Sequence, residues 1–294
     1  MNDMANNTGT PALTNPVWLG ERLVAADEAT IHITDHGFTV GDGVFETIAV
    51  RGGTAVARDR HIVRLRWCAE KILMSPPEAE SVNRAIDQVI SAADEHTHMS
   101  GRLRITWTSG GGPLGSVRGG GPGTLVVFAA ASVPWPKHSR LAVCPWTRNE
   151  RSALAGVKST SYADNVMALT WAQAQGADEA LLLDTRGNVC EGTGSNVLIS
   201  VDGELVTPAL STGCLAGITR ALVLETSSVR EVECGEDVLH RAQGIAVLSS
   251  TRDIHPVNCL RLGDGSVREF PAEDPLIEAA GNALQELYAG NLNP

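Results

Sequence analysis

The segment 154–166, "LAGVKSTSYADNV", places Lys158 where no acid stands beside it before Asp164. Of 23 basic residues only Lys71, Lys137 and Lys158 are lysines. Lysine differs from arginine chiefly in that it can shed its proton and act as an amine nucleophile. Three other features supply what such an amine would need. Glu191, in "NVCEGTGSN", puts a carboxylate on a strand, and Arg64, in "HIVRL", puts a fixed cation on a helix. In "CLAGITRALVLE", Gly217 precedes a helix start, which leaves the backbone N–H groups of Ile218 and Thr219 facing outward as an anion seat.

An amine, a carboxylate, an arginine and a helix N-terminus together match the needs of pyridoxal phosphate. That cofactor requires a lysine to bond its aldehyde, an acid to hold its ring nitrogen protonated, and a seat for its phosphate. Other chemistries fit less well. The glycine-rich "SGGGPLGSVRGGG" lacks the Gly-Lys-Ser/Thr ending of a nucleotide loop and reads as a flexible loop over a site. His36 and His61 have no second ligand at metal spacing, so they read as hydrogen-bonded structural histidines and no metal is expected. No serine stands in a nucleophile elbow.

The elements that position these residues follow from pattern and punctuation. "VWLGERLV", "TIHITDHG" and "VFETIAVRGGTAVA" read as strands, the last with a hairpin at Gly52-Gly53. Ile62, Leu65, Cys68 and Ile72 fall at helical spacing, and a further helix is expected over 79–95. Strand-like "RLRITWT" and "TLVVFAA" flank the glycine-rich loop. In the second half, a helix through "DNVMALTWAQAQG" stops at Gly176, "EALLLD" and "VCEGTGSNVLIS" pair as strands, "VDGE" turns a hairpin, and "GIAVLSST" is a strand. Two prolines in "ASVPWPKHS" mark a linker at 131–139. The reading is therefore a flexible tail at 1–16, an N-terminal α/β domain at 17–130, and a C-terminal α/β domain at 140–294 carrying Lys158.

The 294 residues, 43% of them apolar, suffice for two such domains. A net charge of -11 and the lack of any Lys/Arg run argue against nucleic acid or an anionic membrane as partners. The polar start "MNDMANNTGTPALTNP" has neither a basic end nor an apolar block, and the six cysteines form no CxxC pair. Reduced thiols in a cytoplasm are expected.

The ordered motifs "DHGFTVGDGVFET", "HIVRL", "VKSTSY", "EALLLDTRGNVCEGTGSNV", "GCLAGITR" and "LSSTRDIHPV" resemble the fold-type IV pyridoxal-phosphate enzymes. That family includes the branched-chain and D-amino-acid aminotransferases and 4-amino-4-deoxychorismate lyase. The resemblance implies a two-domain α/β (α+β) fold with the cofactor in the cleft between domains, and a homodimer whose partner helps wall the site. It makes Lys158 the lysine bonded to the cofactor and later its proton shuttle, and Glu191 the partner of the ring nitrogen. Arg64, the backbone of Ile218 and Thr219, and the Ser250 hydroxyl become the phosphate site, with Tyr162 beside the cofactor's phenolic oxygen.

The substrate side separates the members. Thr47, beside Phe45 in "VFET", resembles the lyase, and Arg104 stands where both the lyase and the branched-chain enzymes carry a cation. The Arg-x-His carboxylate trap of D-alanine aminotransferases is absent from 109–121. Two departures run against the lyase: Leu114 replaces a loop arginine, and Ser249 an asparagine. Arg118 or Arg252 would have to supply the missing cation. The wording as a whole is most similar to actinobacterial aminodeoxychorismate lyases, so the leading expectation is a lyase releasing 4-aminobenzoate and pyruvate, with Thr47 positioning or relaying a proton. An aminotransferase for D-amino or branched-chain amino acids is the runner-up, and a non-catalytic protein retaining the fold is the third reading.

Overall fold

The computed structural model describes residues 14–294. A first sheet uses β1 (Val17–Leu19), β2 (Arg22–Val24), β3 (Gly43–Arg51), β4 (Thr54–Ala55), β5 (Ser100–Thr108) and β6 (Thr124–Ala131). Their order is β2-β1-β6-β5-β3-β4, and every pairing is antiparallel. Helices α1 (His36–Thr39), α2 (Arg58–Lys71), α3 (Ala79–Ser91) and α4 (Glu95–Met99) belong to this half. Ile62, Leu65 and Cys68 of α2 pack with Val82, Ile86 and Val89 of α3 against Val44, Ile48 and Leu103. Helical spacing thus meets strand alternation in one core.

The chain leaves the first sheet at Ala131 and enters the second at Ser139. The second sheet holds β7 (Ser139–Arg148), β8 (Glu179–Asp184), β9 (Val189–Gly192), β10 (Asn196–Val201), β11 (Glu204–Pro208), β12 (Val229–Val232), β13 (Gly244–Ser249), β14 (Asp253–Arg261) and β15 (Val267–Glu269). The order is β12-β11-β10-β13-β14-β7-β8-β9, with β15 on β14. Around it lie α5 (Ala163–Ala174), α6 (Ile218–Thr226), α7 (Asp237–Arg241) and α8 (Pro275–Gly290). Leu222, Leu248, Ile277 and Leu284 form a core with Ala49, Val56 and Ala57 of the first half, so apolar packing runs across the two sheets.

Several expectations are corrected. "TIHITDHG" is no strand: Ile31 and Ile33 are exposed, so the alternation has no core to face. Asp35 instead caps α1, accepting from the Gly37 N–H, and takes bonds from the Thr108 and Thr124 hydroxyls. The helix expected over 79–95 ends at Ser91, and Asp94 caps the separate α4. "VWLGERLV" is two short strands, divided where Gly20 takes φ 64°. The expected tail at 1–16 lies outside the described residues up to 13. Its end is held, because Asn15 is buried and bonds Thr97, the Ala129 carbonyl and the Asp94 N–H.

Candidate active site

Strand β3 is two-sided. Val44, Glu46 and Ile48 point into the core, while Phe45 and Thr47 face a cavity of about 950 Å³. Arg104 is the cross-strand partner of Thr47 on β5 and lines the same cavity. The opposite wall comes from the second half. Lys158 lies in the connection between β7 and α5, and its backbone is pinned on both sides. Its carbonyl accepts from the Phe45 N–H at 2.9 Å, and its N–H donates to Cys68 Sγ at 3.4 Å. Tyr162, Glu191, Ile218, Thr219 and Ser250 complete the lining.

Phe45 organises the middle of the cavity. Its ring carries Lys158 Nζ at 4.2 Å and the Arg104 guanidinium at 3.4 Å, and meets Tyr162 edge-on at 5.2 Å. Both cations lose their protons more readily than in water, the direction that burial dictates. Burial, with the Arg64 charge adding to it, pulls the Lys158 ammonium down to about 8. Burial likewise brings Arg104 down to about 10, and among the described residues it has no carboxylate partner. Burial raises the Tyr162 phenol to about 12, and its hydroxyl donates to the Thr193 carbonyl at 2.9 Å.

Behind Arg64 stands a network that sequence reading missed. Glu46, fully buried, accepts from Arg64 Nε at 2.7 Å and Nη2 at 2.6 Å, and contacts His61 Nδ1 at 2.7 Å. Burial opposes its charge, but Arg64 and His61 outweigh that and hold the carboxyl far below its usual range. Burial in turn lowers His61, whose Nε2 lies 3.2 Å from Ser250 Oγ. A glutamate on the apolar face of β3 was the available signal. Arg148, also missed, lies 3.2 Å from Glu191 Oε1 through Nε, outside hydrogen-bond alignment. Oε2 of Glu191 accepts from the Leu215 N–H, and burial pushes the carboxyl up against the pull of Arg148.

Two sequence candidates stand elsewhere. Arg118 forks onto Asp42 at 2.7 Å and the carbonyls of Ile72 and Leu73, and Arg252 pairs with Glu179 at 2.7 Å. Neither lines the cavity, because each is drawn to a carboxylate far away in sequence.

The arrangement fits pyridoxal phosphate on its own geometry. Glu191 lines the cavity, and its Oε1 receives no aligned hydrogen bond from Arg148, so the carboxylate can accept from a ring N–H. At the far end α6 starts at Ile218, so its first N–H groups have no acceptor within the helix. A Cβ on Gly217 would run into Asn196 Oδ1, so a larger residue there would have to displace the Asn196 amide from its bond to the Leu215 carbonyl. Arg64 and Ser250 flank that end.

Residues 43–259 match the family model for class IV amino-transferases. The D-alanine aminotransferase of Bacillus licheniformis is 30% identical over 271 residues, covering 90% of this chain and 94% of the relative. The bifunctional aminodeoxychorismate lyase and D-amino acid transaminase of Mycobacterium tuberculosis is 29% identical over 289 residues, covering 85% and 93%. Among solved structures, the branched-chain aminotransferase of Thermoproteus uzoniensis superposes with a TM-score of 0.85 at 26% identity, over 94% of this chain and 95% of that one. With the sheet order, the cavity and these matches in agreement, the chain belongs to the class IV aminotransferase family, fold-type IV enzymes that use pyridoxal phosphate.

Proposed function

We propose that the protein is an aminotransferase, moving an amino group between an amino acid and a 2-oxo acid, with D-amino or branched-chain amino acids as substrates. The observation that carries this is Arg104, a cavity-facing guanidinium without an acid, set across the Phe45 ring from Lys158. One such cation suits the carboxylate of an amino acid. A substrate with two carboxylates calls for a second, and Arg118 and Arg252 are held elsewhere.

Bound to Lys158, pyridoxal phosphate supplies a conjugated ring that takes up the electron pair left when the substrate's α-hydrogen departs as a proton. The chain's own groups do the rest. Arg104 holds the substrate carboxylate and fixes which bond faces Lys158. Released from its covalent bond, the Lys158 amine takes the α-proton at Nζ and returns it to a neighbouring carbon. Its pKa, lowered to about 8, makes the free base available from pH about 8 upward, well below the range of an ordinary lysine. Glu191 keeps the ring nitrogen protonated, and Arg64, the Ile218 and Thr219 amides and the Ser250 hydroxyl hold the phosphate. Tyr162, on the same cavity wall, would stand beside the cofactor's phenolic oxygen.

The lyase stands as the second reading, favoured by Thr47. Its side chain is beside Arg104 on the cavity face, where a hydroxyl can relay a proton to a departing enolpyruvyl group. Exposed Phe38, Leu73, Leu114 and Val117 support a homodimer, and buried cysteine thiols support a cytoplasmic setting. Sedimentation of the purified protein tests the dimer.

The deciding experiment mixes the cofactor-loaded protein with D-alanine, leucine or glutamate and follows the visible band. Its loss to the near ultraviolet, with oxo acid formed, supports transfer. An unchanged band, with 4-aminobenzoate released from aminodeoxychorismate, would replace that reading with the lyase. A protein that takes up no cofactor would point to the non-catalytic alternative.

A further inference from the structure

Arg252 sits in the turn between β13 and β14, and its side chain is only 6% exposed, against 5% for its partner Glu179. Glu179 opens β8. Its Oε1 accepts from the Gly194 N–H at 2.7 Å and from the Ser195 hydroxyl at 2.8 Å. The next residue back, Thr193, offers the carbonyl that receives the Tyr162 hydroxyl and, at 2.6 Å, the Asn165 side-chain amide. On the other side, Arg252 Nε donates to Ser249 Oγ at 3.1 Å, and Ser249, Ser250 and Thr251 line the cavity. The guanidinium also lies over the Trp135 ring at 4.7 Å, within the segment joining the two sheets.

We propose that Arg252 and Glu179 are a positioning pair that ties the 193–195 loop to the 249–251 turn, fixing the Tyr162 hydroxyl relative to Ser250. This rests on the cofactor reading above. Apolar side chains of the same volume would stabilise the fold as well as a buried ion pair does, so geometry is what the pair contributes. A guanidinium is a rigid plane, and here its Nε donates to Ser249 while its Nη2 pairs with Glu179 Oε2 at 2.7 Å. Displacement of Glu179 passes directly to the loop. Its Oε1 stands so close that a Cβ on Gly192 would meet it at 2.5 Å.

The test uses the full chain carrying Arg252→Met, Arg252→Lys, Glu179→Gln, or Met and Gln together. Three quantities are read: affinity of the cofactor-free protein for pyridoxal phosphate, the pH midpoint of the visible band, and the thermal midpoint without cofactor. Arg252→Met is expected to weaken cofactor affinity by about tenfold and to move the pH midpoint, because Tyr162 packs on Phe45 beside Lys158. Glu179→Gln keeps the shape and breaks the charge pair, so it should do the same, and the double variant should lose less than the sum. Arg252→Lys should fall between Met and the unaltered protein. If Met and Gln lower only the thermal midpoint, with affinity and pH midpoint unmoved, the pair is structural and the proposal is overturned. Should Arg252→Met fail to fold, Glu179→Gln alone decides. If the unaltered protein binds no pyridoxal phosphate, the functional reading fails first and takes this one with it.

Discussion

The two ends of the cavity are prepared differently. At the end of Arg64 and Ser250 the charges are already answered, because Glu46 holds both Arg64 and His61. At the end of Arg104 and Thr47 a guanidinium waits on an aromatic face, with no carboxylate paired to it among the described residues. A permanent ligand can be met by a rigid, internally neutralised seat. A substrate that comes and goes is better met by an unspent charge, whose partner arrives with it. On the function proposed above, the contrast separates what would hold a cofactor from what would select a substrate.

The largest break in that contrast comes from the residue between the two ends. Lys158→Ala should abolish the visible band and cut turnover by roughly a thousandfold or more, measured by absorbance and by oxo-acid formation. Next, Glu46→Gln strips the prepared end of its neutralising charge and leaves Arg64 buried without a partner. A loss of about 3–5 kcal/mol is expected in denaturant titrations. The sign of its pH dependence is fixed. The folded state holds Glu46 below its ordinary 4.5, so its stabilisation is complete above that pH and declines as acid is added below it. The gap between the unaltered protein and Glu46→Gln should therefore narrow at low pH.

A smaller effect sharpens the other end. Arg104→Met should raise KM for amino acids by about ten- to a hundredfold while leaving cofactor affinity in place. Equal losses of both would erase the distinction drawn here. The mildest test changes no residue. Cofactor capture by the cofactor-free protein should accelerate as pH rises through about 8, because only the neutral Lys158 amine attacks the aldehyde. A capture rate that stays flat until pH 10 would mean that the amine is not depressed.

Much of this was legible in the chain because it was local. Gly217 before "ITR" announces a helix start and "VDGE" a hairpin, and the rare Lys158 does line the cavity. What escaped was long-range. Arg118 and Arg252 read as spare cations because their partners, Asp42 and Glu179, lie more than seventy residues away in sequence. Glu46 hid beside Thr47, and only its position on the inward face of β3 betrays it. The alternation of "TIHITDHG" misled for the opposite reason: its pattern is genuine, but no apolar layer exists beneath it.

Strand β3 has a practical consequence for anyone who wishes to redirect this enzyme. Its residues alternate between those that keep the molecule folded and those that merely furnish the room, so a library varied at Phe45 and Thr47, with Arg104 opposite, explores new substrates on an intact frame. The same mutational load moved one position along, onto Val44, Glu46 and Ile48, would yield mostly insoluble protein.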